Sequence, residues 1–240
     1  MPFCGAAMGM LCLVRHGQAS AFEENYDRLS SLGERQALLL GEAWARRGAR
    51  FDRVFTGPRM RQQRTAEIAA EAGGMPPPVV MEELDEMRVE PLFREHMPDL
   101  FARHGHLQAL GDAMLAADGD EARGKAIARL FEAVLMLWLR GQVSAPGVEP
   151  WLEFRGRVRR VLAAMRVQGK SQRIAAFTSA GPVASAVQLA LSTDDDSAMS
   201  LAFRVRNTSV SEFLFSGDRF SLESFNETPH LLDPSMVTVR

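Results

Sequence analysis

Met10–Val14 (MLCLV) is an unbroken apolar run. It is too short for a core helix and lacks the alternation of a strand with one wet face, so it reads as a strand buried on both faces. Similar short runs recur at Arg53–Thr56, Val79–Met81 and Arg173–Thr178, with helical periods between them. Leu32, Ala37, Leu38, Leu40, Ala43 and Trp44 fall at helical spacing, in a segment that opens around Leu29–Glu34 and reaches about Gly48. Pro58 to about Glu71 reads as the next helix, with its proline early. Buried strands alternating with helices predict an α/β fold: a three-layer α/β/α sandwich around a mostly parallel central sheet.

The region from about Pro91 to Gly169 changes character. It is rich in Ala, Leu and Arg and helical in period, with breaks at Pro98, Asp118-Gly119 and Ala145-Pro146-Gly147. Glu121–Arg140 and Trp151–Val167 are its clearest helices. The expectation is a single domain over 1–240 with a helical insertion, or lid, at about 91–150, after which Trp151–Val167 returns to the sheet. Gly181–Leu191 reads as the helix behind Arg173–Thr178. Thr208–Phe215 and Arg219–Phe225 flank Ser216-Gly217-Asp218, which predicts a C-terminal β-hairpin.

With 46% hydrophobic and 24% charged residues, the chain has enough apolar content to offset its ordering entropy, which excludes a disordered protein. A formal net charge of -2 argues against a dedicated nucleic-acid binder. All but Lys125 and Lys170 of the 28 basic residues are arginine, a side chain suited to bidentate contact with oxyanions. The cysteines, Cys4 and Cys12, are too few for a disulfide framework or a cysteine-rich zinc site. Met1–Val14 has neither a basic start nor a clear cleavage site, and Leu130–Leu139 is too short to span a bilayer. The expectation is a cytoplasmic protein that engages neither membrane nor nucleic acid.

Ligands of open α/β sheets bind beyond the carboxyl ends of the strands. Three such ends carry Arg15-His16-Gly17, then Thr56-Gly57-Pro58 with Arg59, Arg61 and Arg64, then Thr178-Ser179-Ala180-Gly181. Glu82, Glu83, Asp85 and Glu86 follow the third strand. Guanidinium groups and a helix N-terminus suit a phosphate dianion. A histidine among them can attack phosphorus, and a carboxylic acid can protonate the leaving oxygen. No Asp/His cluster suggests a metal and no cofactor is implied, which leaves the positive charge to arginine.

Leu13-Val14-Arg15-His16-Gly17-Gln18 resembles the signature of the histidine phosphatase superfamily, the phosphoglycerate-mutase-like fold. Asp27–Ala37 resembles that family's D-x-x-L-[ST]-x-x-G-x-x-Q-A segment, and Val54–Glu67 its S-S-P-L-x-R-A-x-Q-T-A-E segment. Leu84-Asp85-Glu86 matches its L-x-E motif. The resemblance implies that His16 is the nucleophile that becomes phosphorylated and that Arg15 and Arg61 hold the phosphoryl oxygens. It makes Glu86 the general acid, in a segment crowded by Glu82, Glu83, Asp85 and Glu90. Gly17, Ser179 and Gly181 join the phosphate-binding set, and Gln18, Thr178, Ala180 and His230 are further pocket candidates.

The implied activity is a metal-independent phosphomonoesterase acting on a small phosphate ester. The family's second histidine, in a strand-end S-H-G motif, is here replaced by Ala180. That departure opens the alternative of a pseudo-phosphatase that binds a phosphorylated ligand or partner. A mutase is disfavoured, because Met87-Arg88-Val89-Glu90-Pro91 does not resemble the Tyr-Gly segment that follows the acid in mutases. Arg103-His104-Gly105 repeats the tripeptide but follows a helical stretch, so it reads as lid surface. Arg59, Arg64 and His96 also read as surface residues, and His104 and His106, two apart, do not share a helix face.

Overall fold

The computed structural model describes residues 8–20, 27–168 and 171–239; Cys4 and Lys170 lie outside them. The strands are β1 (Gly9–Arg15), β2 (Arg53–Thr56), β3 (Val79–Val80), β4 (Arg173–Thr178), β5 (Val210–Ser216) and β6 (Arg219–Glu227). They form one sheet in the order β3-β2-β4-β1-β5-β6. The pairs β2–β3, β2–β4 and β1–β4 are parallel, whereas β5 runs antiparallel to both β1 and β6. The chain is thus a mixed α/β protein with a mostly parallel sheet. The parallel pairing of Arg15 with Thr178 sets two of the motif-bearing strand ends side by side.

Helices α1 (Ser31–Arg46) and α2 (Met60–Gly73) pack together on one face. Leu40, Trp44, Ala66 and Ala69 meet Cys12, Val14, Val54, Ala175 and Phe177 there. Trp44 packs against Phe51 at a centroid distance of 4.8 Å with the rings tilted by 57°, and meets Phe177 edge-on at 6.2 Å. The alternation of a strand turns Leu11, Leu13, Ile174 and Ala176 the other way, and all four are buried. Pro58 precedes α2 rather than lying within it: Arg59 is the N-cap and Met60 the first helical residue. In the hairpin Gly217, at φ 55°, takes the first turn position after Ser216, as a type II′ turn requires.

The described residues of Met1–Glu86 and Gly156–Arg240 form one compact unit, and Met87–Arg155 forms another. The second is helical: α3 (Glu90–Arg94), α4 (Met97–Arg103), α5 (Gly105–Leu115), α6 (Asp120–Leu139) and the start of α7 (Trp151–Gln168). Its core is an aromatic cluster in which Trp138, Trp151 and Phe154 lie 5.5–6.4 Å apart. Pro98 opens α4 instead of breaking a helix, where its missing N–H costs nothing. His104 lies at the junction of α4 and α5, so the repeated Arg103-His104-Gly105 has no strand behind it. The rings of His104 and His106 lie 5.9 Å apart. In the first unit, α8 (Ala180–Leu191) follows β4, and α9 (Asp195–Ala202) then starts at Asp194, which caps Ser197 N at 2.7 Å. Among the described residues no helix is long and apolar enough to cross a membrane.

Candidate active site

His16 leaves the end of β1 buried, at 6% exposure, with its backbone N–H bonded to Thr178 O at 2.9 Å. Two contacts settle its tautomer. Nδ1 lies 2.7 Å from Gly17 O, which can only accept, so Nδ1 carries the proton. Arg61 Nε donates to Nε2 at 3.0 Å, so Nε2 holds a lone pair. Burial pushes the His16 pKa well below its ordinary value; Arg61 and Arg15 push the same way, against the Gly17 carbonyl. The ring is therefore neutral, with its bare nitrogen facing a guanidinium.

The neighbouring motif residues hold this arrangement. Thr65 Oγ1 accepts Gly17 N–H at 3.0 Å and donates to Arg61 O at 2.6 Å, tying the strand end to α2. Gly17 is glycine because a Cβ would come 2.5 Å from Gly33 O, and a Cβ on Gly33 would come 2.1 Å from Gln18 O. Ser30 caps α1 by accepting from Gly33 N at 3.0 Å. Fully buried Gln36 accepts from Gln18 N and donates to Met236 O and Thr238 Oγ1 at 2.7 and 2.9 Å. Behind the ring, Asn207 Nδ2 donates to His16 O at 3.0 Å.

Arg61 has a second partner that no motif assigned to it. Its Nη1 donates to Asp27 Oδ1 at 2.9 Å, while Asp27 Oδ2 accepts Met60 N–H at 2.9 Å. Arg15 lies near enough to depress the His16 pKa, but its Nη1 donates to Val205 O and, at 2.6 Å, to Val239 O.

Among the crowded acids, position separates the candidates. Glu82 and Glu83 are exposed. Asp85 is buried and paired with Arg59, Nε to Oδ1 at 2.6 Å, so Arg59 is a partner of the acid segment and not the surface residue its sequence suggested. Arg64 is half-exposed and pairs with Glu34 at 3.2 Å. Half-buried Glu86 reaches the first turn of α8, where Gly181 N–H donates to Oε1 at 3.1 Å and Oε2 at 3.4 Å. Its carboxylate occupies the positive end of that helix.

Several pocket candidates are committed to holding the frame. Thr178 Oγ1 donates to Leu84 O at 2.6 Å, and Ser179 Oγ accepts from Gln62 Nε2 at 2.8 Å. The Gly17 N–H is likewise given to Thr65, and Gln18 is bound to Ser30 through its side chain. Ala180, half-buried, is the first residue of α8.

His230 departs from its expected place at the pocket rim. It lines a cavity of about 240 Å³ with Leu40, Trp44, Arg47, Val210 and Glu227, a lining that does not include His16. Thr208 Oγ1 donates to Asn207 O and so accepts from His230 Nε2, 3.0 Å away. Burial, then the charge of Arg47, lowers the His230 pKa to about 4. As pH falls, the unfolded chain takes up this proton near 6.5 and the folded chain only near 4, so stability drops across that window. The loss approaches about 3 kcal/mol, and His16 adds to it in the same direction. Urea denaturation at pH 7 and pH 5 should show a steeper loss for the wild type than for His230→Gln; parallel losses would refute this.

Comparison with known proteins gives a consistent result. The family model described as the histidine phosphatase superfamily (branch 1) matches residues 11–113 and 116–228. Comparison with curated protein sequences gives no match. Among solved structures, the alpha-ribazole phosphatase from Shigella flexneri is similar at 21% identity and a TM-score of 0.62, covering 91% of this chain and 96% of that one. The phosphoserine phosphatase from Entamoeba histolytica, a mutant in complex with phosphoserine, is similar at 18% identity and a TM-score of 0.62, covering 93% and 100%. The phosphoglycerate mutase from Bacillus anthracis str. Sterne is similar at 16% identity and a TM-score of 0.63, covering 94% and 96%.

Proposed function

Because the chain belongs to the histidine phosphatase superfamily, we propose that it is a metal-independent phosphomonoesterase that works through a phosphohistidine on His16. The observation that carries this reading is the fixed tautomer: a neutral, buried imidazole whose unprotonated Nε2 faces Arg61. A phosphate dianion entering the site would draw the Arg61 guanidinium onto its oxygens and so free the Nε2 lone pair.

Nε2 then attacks phosphorus, the ester P–O bond breaks, and the leaving oxygen takes a proton from the Glu86 carboxyl group. In the second half the Glu86 carboxylate removes a proton from water, the oxygen attacks phosphorus, and the P–N bond breaks. Inorganic phosphate leaves and Nε2 regains its lone pair. Most of the protein's contribution is positioning and charge. Gly181 N–H serves both halves: it holds the Glu86 carboxyl group at rest and is open to a phosphoryl oxygen when Glu86 turns toward the leaving group.

The substrate class is a small phosphate ester. The phosphatases among the similar folds bear on this as analogy alone, since their identities of 18% and 21% carry no substrate across. The helical segment at about 91–150 is an insertion in one family domain. The reading is tested by quenching the enzyme during turnover of para-nitrophenyl phosphate and digesting it. A phosphoryl group on the His16 peptide, lost in acid and retained in alkali, is expected. Turnover with no such adduct, together with hydrolysis that shows no burst, would overturn it.

A second reading keeps the fold and removes the turnover. Ala180 stands where the family pattern has its second histidine, and a site with His16, Arg61 and the α8 N-terminus could still hold a phosphorylated ligand.

A further inference from the structure

The segment that carries Glu86 is held by its backbone. Four consecutive carbonyls, those of residues 83 to 86, each accept a hydrogen bond from a side chain. Thr178 Oγ1 takes Leu84 O, with Gln62 Nε2 a second donor at 3.3 Å. The other three go to one guanidinium: Arg157 Nη1 donates to Glu83 O at 2.8 Å and Asp85 O at 3.0 Å, and Nη2 to Glu86 O at 3.2 Å. Arg157 is 8% exposed, so these bonds are shielded from competing water.

The placement bears directly on Glu86. Asp85 C=O belongs to the peptide plane before the Glu86 Cα, and Glu86 C=O to the plane after it. Fixing both planes fixes φ and ψ of Glu86, and with them the direction in which its side chain leaves the backbone. Asp85 Oδ1 holds the N–H edge of the first plane as well, accepting from Glu86 N at 2.8 Å while paired with Arg59. A rigid planar fork can serve several carbonyls at once, whereas an ammonium is a point charge on a flexible stem.

We infer that Arg157 is the positioning residue of the general acid: by clamping the two peptide planes around Glu86 it aims that carboxyl group between α8 and the leaving oxygen. The inference rests on the phosphomonoesterase reading and adds to it a residue outside every motif. It also identifies the chemistry that depends on Arg157, which is proton transfer by Glu86, first to the leaving group and then from water, rather than attack of Nε2 on phosphorus.

The test compares wild type, Glu86→Gln, Arg157→Lys and Arg157→Ala on two esters. An alkyl phosphate needs a proton on its departing oxygen, and dinitrophenyl phosphate does not. For the alkyl ester, kcat/KM, which reports phosphoryl transfer to His16 and not the later attack of water, should fall in both Arg157 variants on the order of tenfold to a hundredfold, a fraction of what Glu86→Gln loses. For the dinitrophenyl ester kcat/KM should fall less than about threefold, because phosphoryl transfer to His16 then requires no general acid. Added guanidinium ion should restore alkyl-ester activity to Arg157→Ala. Arg157→Lys gives a second reading should Arg157→Ala fail to fold, as judged by thermal melting. Equal losses on both esters in the Arg157 variants, beside a leaving-group-dependent loss in Glu86→Gln, would overturn the inference and leave the phosphatase reading standing. If the wild type hydrolyses neither ester, the phosphatase reading fails and this inference falls with it.

Discussion

Replacing His16 with alanine should end turnover. For an aryl phosphate, kcat/KM is expected to fall on the order of 10⁴-fold or more, as when other nucleophiles acting in a concerted unit are removed. That corresponds to about 5 kcal/mol of lost transition-state stabilisation. The argument is local. Asn207, Thr178 and Thr65 hold the strand end through its backbone, so the loop keeps its path without the ring. Nothing else among the described residues offers an unprotonated nitrogen where Arg61 Nε now points.

The anion-binding parts survive in this variant. Arg61 loses a neutral acceptor but keeps Asp27, and Gly181 N–H still faces the Glu86 carboxylate. His16→Ala should therefore bind phosphate by calorimetry within about tenfold of the wild type, since ground-state contacts are retained. Its melting temperature should fall modestly, because Gly17 O loses a donor and a small void opens. Undiminished hydrolysis in His16→Ala would remove Nε2 from the mechanism.

The sheet was legible because its strands are short apolar runs with turn residues at their ends; Arg53–Thr56 and Arg173–Thr178 match the observed strands to the residue. The motifs also show their physical meaning once the chain is folded. Gly17 approaches the backbone of Gly33 and Gly33 that of Gln18, Gln36 bridges the β1 loop to the C-terminal segment, and Ser30 caps α1.

What could not be read is the set of residues whose partners are distant in sequence. Arg157 lies among Arg155, Arg159 and Arg160 on one amphipathic helix, and no spacing separates the buried arginine from the solvated ones. Arg59 resembled a surface residue because Asp85 is far along the chain. His230 is a lone histidine in a loop, where no period says which cavity it enters. Helix α9 has a capping signal in Thr193-Asp194-Asp195-Asp196, but its eight residues are too few for a clear hydrophobic period. Hydrophobic period reports the burial of apolar side chains, whereas buried polar pairing is specified by tertiary contact alone.

Restoring a histidine at Ala180 separates the two functional readings. Ala180 opens α8, half-buried, beside the Gly181 N–H that holds Glu86. An imidazole there would add a donor to the transferring group from the helix that already presents one N–H. A preorganised donor of this kind is worth about 3 kcal/mol, or roughly a hundredfold in kcat. If the protein is a phosphatase slowed by the loss of that ring, Ala180→His should raise kcat toward that limit while phosphate affinity shifts much less. Single-turnover kinetics with para-nitrophenyl phosphate, beside a calorimetric titration with phosphate, measures both. The new ring would also compete with Glu86 for space at the helix end, so the double variant Ala180→His/Glu86→Gln should keep the gain for dinitrophenyl phosphate and lose it for an alkyl ester. No gain in either variant, with phosphate still bound, would mean that the site holds its anion without the machinery to transfer it, and the binding reading would replace the catalytic one.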